Sequence, residues 1–84
     1  MTYALSFSRS ALKDLEKINE PHYTSIKQAI LALTTVPRPQ GYKKLKGREG
    51  YRIRVGNYRI IYEIFDKQLV IEVISLGHRK DIYE

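Results

Sequence analysis

The chain has 84 residues, of which 43% are hydrophobic and 29% charged, and its formal net charge at pH 7 is +6. This length and composition predict one globular domain, residues 1–84, and exclude a disordered tail. With no cysteine, two isolated histidines and no apolar run near the ~18 residues of a membrane span, the sequence predicts a cytoplasmic protein with no metal, cofactor or membrane partner.

The first part of the chain is predicted to form a strand and a helical hairpin. Residues 3–7 alternate apolar and small side chains, as a short strand does. Ser8 or Ser10 is a suitable N-cap for a first helix of about three turns. Pro21 suits the first turn of a second helix, which Pro37 ends. The apolar stripes of the two helices are Ala11, Leu12, Leu15 and Ile18, then Tyr23, Ile26, Ile30 and Leu33.

A β-hairpin is the clearest element of the sequence. Side chains alternate in type through residues 51–62, on both sides of the turn-forming Gly56 and Asn57. A two-residue turn fixes the cross-strand pairs as Tyr51–Tyr62, Arg52–Ile61, Ile53–Ile60, Arg54–Arg59 and Val55–Tyr58. Apolar partners then share one face and arginines the other. Arg54 and Arg59 become direct neighbours about 5 Å apart, where like charges destabilise a sheet.

A third meander strand is predicted over residues 68–76, after a two-residue turn at Asp66 and Lys67. That turn sets the pairs Tyr62–Ile71, Ile60–Val73 and Arg59–Ile74. The core face of the sheet would consist of Ile53, Val55, Tyr58, Ile60, Tyr62, Ile64, Leu69, Ile71 and Val73. The βααβββ order predicts an α+β fold, with the helical hairpin packed on a mostly antiparallel four-stranded sheet.

The positive charge is concentrated in one loop and the hairpin. Residues 38–59 hold eight Lys and Arg against a single acid, Glu49, while the rest of the chain has seven basic and eight acidic residues. Such a patch on a small domain typically binds a polyanion, nucleic acid before membrane. The loop supplies four side chains suited to phosphate contacts: Lys43, Lys44, Lys46 and Arg48.

The hairpin arginines Arg52, Arg54 and Arg59 would form an anion site on the outer face of the sheet. Guanidinium groups match phosphate oxygens bidentately, so this cluster could hold a phosphodiester and stabilise extra charge on it. The alternative is a set of solvated arginines balanced by Glu63 and Glu72, which the register places on the same face.

The C-terminal segment adds three chemically useful side chains. Arg79 would bring a further cation, and His78 is the residue type best matched to proton transfer near neutral pH. Tyr83 could stack on a base, donate a proton or pack against the sheet. Tyr42 and Tyr51 could stack on bases in the basic region, although Tyr51 alternates with core residues.

The predicted register also puts apolar side chains on the arginine side of the sheet. An apolar patch on a solvated face typically binds a partner, although the C-terminal segment could cover part of it. The residues of this predicted partner surface are Ile61, Phe65, Val70, Ile74 and Leu76.

Along nearly its whole length the chain resembles the RelE/ParE superfamily of bacterial toxins from type II toxin–antitoxin pairs. The matching pieces are Ala11, Lys13, Asp14 and Leu15 in the first helix, then residues 45–47, 51–62 and 77–83. By position, Arg52 and Arg54 match the paired basic residues of the family's second strand. Arg59 matches the arginine of the third strand, Arg79 the arginine near the end of the fourth, and Tyr83 the C-terminal tyrosine.

The resemblance implies a cognate antitoxin that wraps the toxin, with operator DNA contacted only through the antitoxin complex. For the RelE branch it implies a ribosome-dependent endoribonuclease that cuts mRNA in the A site without a metal. The ribose 2′-OH would attack the phosphodiester and leave a 2′,3′-cyclic phosphate and a 5′-OH. Arg59 and Arg79 would stabilise charge, Arg52 and Arg54 would position the backbone, and Tyr83 would stack or assist a proton transfer.

The chain departs from the better-studied family pattern, which has lysines at the positions of Arg52 and Arg54. A lysine can be tuned to act as a base, whereas an arginine practically cannot. His78 is therefore the hypothetical substitute for the general base.

Two other functions compete with the nuclease. A ParE-like toxin would use the arginines as an interaction surface for DNA gyrase and cut no RNA. A nucleic-acid-binding accessory would show steep salt dependence and form no product. The presence of all five matching Arg and Tyr residues favours the nuclease.

Overall fold

The computed structural model describes residues 2–78, in which two helices pack on one face of a five-stranded sheet. The strands are β1 (Ala4–Phe7), β2 (Lys43–Lys44), β3 (Tyr51–Val55), β4 (Tyr58–Phe65) and β5 (Val70–His78), and the helices are α1 (Arg9–Glu16) and α2 (His22–Leu33). Across the sheet the order is β1-β5-β4-β3-β2, with β1 parallel to β5 and the other pairs antiparallel. Neither helix is long and apolar enough to cross a membrane.

The predicted α+β fold is confirmed, with one strand more than the four predicted. The additional strand is β2, which pairs Lys43 with Arg52 and Lys44 with Tyr51. Two consecutive lysines carry no alternating pattern, so the sequence gives no sign of a strand there. The strand exists because the loop before β3 folds back along its edge.

The helices begin close to the predicted positions. Ser8 is the N-cap of α1, and its hydroxyl accepts a hydrogen bond of 3.0 Å from the backbone N–H of Ala11. At eight residues α1 is shorter than the predicted three turns, yet Ile18 beyond its end is still buried. Leu12 and Tyr23, predicted to face the sheet, are exposed and line a groove between the helices.

The β3–β4 hairpin has the predicted register at all five pairs, including Arg54 opposite Arg59. Gly56 has φ 59° at the first turn position, whereas Asn57 does not have positive φ. This pattern is typical of a type II′ turn, whose twist matches that of the flanking strands.

The predicted register between β4 and β5 is wrong. The observed pairs include Tyr62–Val73, Ile60–Leu76 and Arg59–Gly77. The connecting turn spans residues 66–69 rather than two residues, and Leu69, predicted to be a core residue, lies in it with φ 57°. This longer turn moves the pairing by two positions, which keeps each side chain on its predicted face.

A β-bulge then reverses the faces along the last part of β5. Ile61 pairs with Ser75 while its neighbour Tyr62 pairs with Val73, so Ile74 is the extra residue. An odd shift moves every following side chain to the other face. Leu76, predicted on the partner surface with the arginines, is therefore 1% exposed and lies in the helix–sheet core.

The bulge is held by α1. The hydroxyl of Ser8 donates a hydrogen bond of 2.6 Å to the carbonyl of Ile74, and the carboxylate of Asp14 accepts one of 3.1 Å from the N–H of Leu76. These bonds serve backbone groups on both sides of Ser75 that a bulge takes out of the ladder.

We expect Asp14→Ala to destabilise the fold by about 1–3 kcal/mol, because the part-buried N–H of Leu76 loses its acceptor. Glu16→Ala changes an exposed acid of the same helix and should cost less than about 0.5 kcal/mol. Urea denaturation of both variants measures the difference. Equal midpoints would show that the Asp14 bond does not stabilise the bulge.

Candidate nucleic-acid interface

Three arginines lie on the sheet face opposite the helices. Arg52 and Arg54 alternate along β3 with Tyr51, Ile53 and Val55, which pack toward the core, and Arg59 is the direct partner of Arg54. Arg54 is exposed, whereas Arg52 is only 7% exposed, and the Nε atoms of Arg52 and Arg59 are shielded from solvent. The predicted placement of the hairpin arginines on one face is confirmed.

Gly77 flanks Arg59 on its other side, because Arg59 pairs with Gly77 on β5. A glycine has no side chain, so residue 77 itself adds only backbone to the surroundings of Arg59. Sequence reasoning missed this neighbour, since the Arg59–Gly77 pairing exists only with the bulge in place.

Among residues 2–78, the acids of this face lie at its opposite end. Glu63 and Glu72 are direct cross-strand partners, and Glu63 is four residues beyond Arg59, about 13 Å along the strand. The two acids are therefore beside each other and apart from the Arg54–Arg59 pair. This separation gives the outer face a positive end and a negative end.

The loop that carries Lys43, Lys44, Lys46 and Arg48 is anchored to the sheet at Leu45 and Gly50, which are both buried. All four basic side chains are exposed, while Leu45 is 3% exposed and its N–H donates to the carbonyl of Gly50 at 3.0 Å. Gly50 has φ 120°, and a Cβ there would lie 3.3 Å from the carbonyl oxygen of Tyr62. Glycine is thus required where this loop meets the sheet.

A cavity of about 410 Å³ lies at the open edge of β3, where β2 has ended. It lies between the sheet edge, the loop and helix α2, and its lining residues are Lys43, Arg52, Ile53 and Arg54, then Pro39, Gln40 and Gly41, then Ala29, Ala32 and Leu33. The cavity therefore brings the loop and the hairpin arginines together.

Three tyrosines, one just before β2 and one each in β3 and β4, form a ladder on the helix side of the sheet. The ring centroids of Tyr42 and Tyr51 are 5.9 Å apart, as are those of Tyr51 and Tyr62. Tyr62 is buried, which raises its pKa to about 12, and its hydroxyl donates to the carbonyl of Pro37 at 2.7 Å. We call Tyr42, Tyr51 and Tyr62 the tyrosine ladder.

Two cations flank the middle ring of the ladder. The guanidinium carbon of Arg38 and the Nζ of Lys44 each lie 5.4 Å from the centroid of Tyr51, within range of a cation–π interaction. The sequence indicated Tyr42 and Tyr51 as stacking residues but gave no sign of this cation arrangement. It depends on β2, which brings Lys44 opposite Tyr51.

Arg38 also joins a surface cluster with Asp66 and Tyr3. Its Nη2 lies 3.1 Å from the Asp66 carboxylate, which accepts a second hydrogen bond of 2.6 Å from the Tyr3 hydroxyl. The bond from Arg38 is the main cause that lowers the pKa of Asp66, and the bond from Tyr3 adds to it. This cluster ties the start of the chain to the β4–β5 turn and orients Arg38.

We expect Asp66 to make stability depend on pH in acid. Because folding lowers its pKa below the ordinary value of 3.8, its contribution is complete above that pH and is lost as the pH falls through the folded pKa. The stability difference between wild type and Asp66→Asn should therefore shrink as urea denaturation is repeated from pH 7 to pH 2. Lys67→Gln, in the same turn, is the control and should keep a constant difference. Parallel curves for wild type and Asp66→Asn would contradict the expectation.

His78 lies on the helix side of the sheet, away from Arg54 and Arg59. It pairs with Tyr58, and their ring centroids are 5.8 Å apart in an edge arrangement, while His22 contacts Tyr58 at 5.3 Å. The bulge is the reason, since it reverses the faces of the last residues of β5. Within residues 2–78 no three His, Asp or Glu side chains gather as a metal site requires. The predicted site residues Arg79 and Tyr83 lie outside the described residues.

The predicted partner surface is smaller than expected. Phe65 is 39% exposed and pairs with Val70, and both Val70 and Ile74 are partly exposed. Ile61 is 2% exposed, and Leu76 belongs to the core on the other side. Three residues, Phe65, Val70 and Ile74, remain as partly or fully exposed apolar side chains of the outer face, and we call them the outer apolar patch. The Glu63–Glu72 pair lies between Ile74 and the other two.

The fold and the cation-rich sheet face define the class: a small basic α+β domain with a helical hairpin on one side of its sheet. A family model described as the ParE toxin of type II toxin–antitoxin systems, parDE, matches residues 5–83. The chain belongs to the RelE/ParE superfamily of type II toxin–antitoxin toxins.

Similar proteins come from bacteria and archaea. The chain is 31% identical to the mRNA interferase toxin RelE of Escherichia coli K12, over 95% of this chain and 86% of that one. In solved structures it is similar to the archaeal RelE–RelB complex from Pyrococcus horikoshii, with a TM-score of 0.83 and 30% identity over 98% of this chain and 100% of that one. It is also similar to the intact RelBE toxin–antitoxin complex of Escherichia coli, with a TM-score of 0.80 and 30% identity over 90% and 95% of the two chains.

Proposed function

We propose that this toxin inhibits translation as a ribosome-dependent endoribonuclease that cleaves mRNA in the A site. The observation that carries the proposal is the direct Arg54–Arg59 pair beside Arg52 on one sheet face. Like charges in this position destabilise a sheet, and a phosphate lying across the pair would stabilise it. A relative at 31% identity is named an mRNA interferase, which supports RNA as that anion.

The proposed reaction needs little from the protein beyond positioning and charge. A base removes the proton of the ribose 2′-OH, and the 2′ oxygen attacks the phosphorus. The bond from phosphorus to the 5′ oxygen then breaks, and that oxygen takes a proton. Arg59 and Arg79 would stabilise the charge on the phosphorane, and Arg52 and Arg54 would hold the backbone in line. In this proposal the side chains alone carry out the reaction, and no metal ion takes part.

The general base is the open role in this mechanism. Arg52 and Arg54 cannot supply it, because guanidinium groups stay protonated. His78 has the suitable chemistry but lies beside Tyr58 on the helix side, and Tyr83 is the other titratable group of the proposed site. The cleavage rate of His78→Ala under single-turnover conditions tests this role. A rate equal to that of wild type would remove His78 from the mechanism.

We expect Arg59→Ala to lower the rate of message cleavage by about 100- to 1000-fold, the usual effect of removing one group that stabilises a developing charge. Primer extension on the message during in vitro translation measures the cuts. Arg9→Ala, an exposed arginine at the start of α1, is the control and should cleave like wild type. If primer extension finds no cuts by the wild-type protein at codons that lie in the ribosome, the nuclease proposal fails.

A ParE-like activity is the second candidate, because the matching family model is described as the ParE toxin. In that case the arginines would form an interaction surface for DNA gyrase. An intact message together with gyrase-dependent DNA breaks would favour this function over the nuclease.

The proposal includes a cognate antitoxin as partner, and the ribosome and mRNA as targets, in the cytoplasm. The similar solved structures are toxin–antitoxin complexes, which supports an antitoxin for this chain. We propose that the antitoxin covers the outer apolar patch, and that operator DNA is contacted only through their complex. A solvated sheet face with exposed apolar side chains is the usual setting for such a contact.

We expect Phe65→Glu to weaken binding of the cognate antitoxin about 10- to 100-fold, because a charge replaces a 39%-exposed aromatic side chain in the outer apolar patch. Leu12→Glu places the same charge at a 49%-exposed position on α1 and serves as the control. Isothermal titration calorimetry measures both affinities. Equal affinities for Phe65→Glu and wild type would remove the outer apolar patch from the interface.

A further inference from the structure

The tyrosine ladder runs from the core to the solvent. Tyr62 is fully buried, Tyr51 is partly buried, and Tyr42 at the outer end is 38% exposed. The inner two rings are fixed by packing and by the bond from Tyr62 to the carbonyl of Pro37. Tyr42 is therefore an exposed ring held on a rigid base, which is the usual form of a stacking platform for an unpaired nucleobase.

Positive charge surrounds this platform. Lys44 and Arg38 lie at Tyr51, the ring next to Tyr42, and Arg38 is held in place by Asp66. Lys44 is exposed and shares no recorded ion pair among residues 2–78. An aromatic ring with a lysine beside it can take a base on the ring and its phosphate on the ammonium group.

Strand β2 links the platform to the arginine face. Lys43 pairs with Arg52, which belongs to the outer face, and the next residue, Lys44, pairs with Tyr51 on the helix side. Successive side chains of a strand point to opposite faces. The edge of the sheet therefore carries a lysine toward each face, and the cavity lined by Lys43, Arg52 and Arg54 lies at the same edge.

We propose that Tyr42 and Lys44 form a second RNA contact, which takes one unpaired base of a single strand that crosses the β2 edge from the Arg54–Arg59 pair. The base stacks on the ring of Tyr42, and the phosphate of the same nucleotide binds the ammonium group of Lys44. This contact does not depend on the base sequence of the RNA. The inference rests on the proposed function in one respect, because the RNA strand that reaches Tyr42 is the same strand that the arginines bind.

A tryptophan at position 42 tests the stacking directly, because the chain contains no tryptophan. Tyr23 on α2 is the matched control, with 37% exposure against 38% for Tyr42. Single-stranded RNA oligonucleotides should quench the fluorescence of Tyr42→Trp in a saturable way and leave Tyr23→Trp unchanged. A duplex RNA of equal length should quench Tyr42→Trp less, since its bases are already stacked. Equal quenching of both variants, equal quenching by duplex, or no quenching of Tyr42→Trp would overturn the proposal.

Affinity measurements separate stacking from a structural role of the ring. We expect Tyr42→Ala to weaken binding of the same single-stranded RNA about 5- to 150-fold, and Tyr42→Phe to bind like wild type. Thermal unfolding of each variant identifies any loss of fold, and a folded Tyr42→Ala with unchanged affinity would overturn the proposal.

The two proposals fail in different ways. If primer extension shows cuts by wild type but Tyr42→Trp is not quenched, the second contact is wrong and the nuclease stands. If RNA quenches Tyr42→Trp selectively while no message is ever cut, the contact stands and the nuclease is wrong.

Discussion

Two hydrogen bonds from α1 decide which side chains of β5 face the helices. Ser8 and Asp14 bind the backbone around a single extra residue, Ile74. Because side chains alternate along a strand, that residue moves Leu76 into the core and His78 toward Tyr58. It also leaves Gly77 beside Arg59. The N-cap and one acid of α1 therefore hold the bulge that sets the neighbours of the proposed catalytic arginine.

The alternation of β3 builds two unlike surfaces from consecutive residues. Arg52 and Arg54 face outward with Arg59, while Tyr51 faces the helix side within the tyrosine ladder. The two lysines of β2 are divided in the same way at the sheet edge, because Lys43 pairs with Arg52 and Lys44 pairs with Tyr51. Cations thus border both sides of the edge that the proposed RNA strand would cross.

Membership of the superfamily does not by itself choose between its activities. One fold hosts unrelated functions, and function depends on the residues of the site. Here the family model is described as a ParE toxin while a relative at 31% identity is named an mRNA interferase. The Arg54–Arg59 pair suits a phosphodiester, but Arg52 and Arg54 stay protonated, so neither could act as a base on β3. The choice of base is therefore the chemical question specific to this chain.

The sequence alone determined the elements whose geometry is local. The β3–β4 register and the single face of the arginines follow from residues only a few positions apart, where turn length and side-chain alternation leave one solution. The sequence limited the cap of α1 to Ser8 or Ser10, and the structure selects Ser8. The tertiary structure decided the bulge, strand β2, the place of His78 and the cation-flanked ladder. Each of these depends on partners distant in the chain, such as Asp14 and Leu76, 62 residues apart. No local pattern encodes such a bond, because it forms only when packing brings the two segments together.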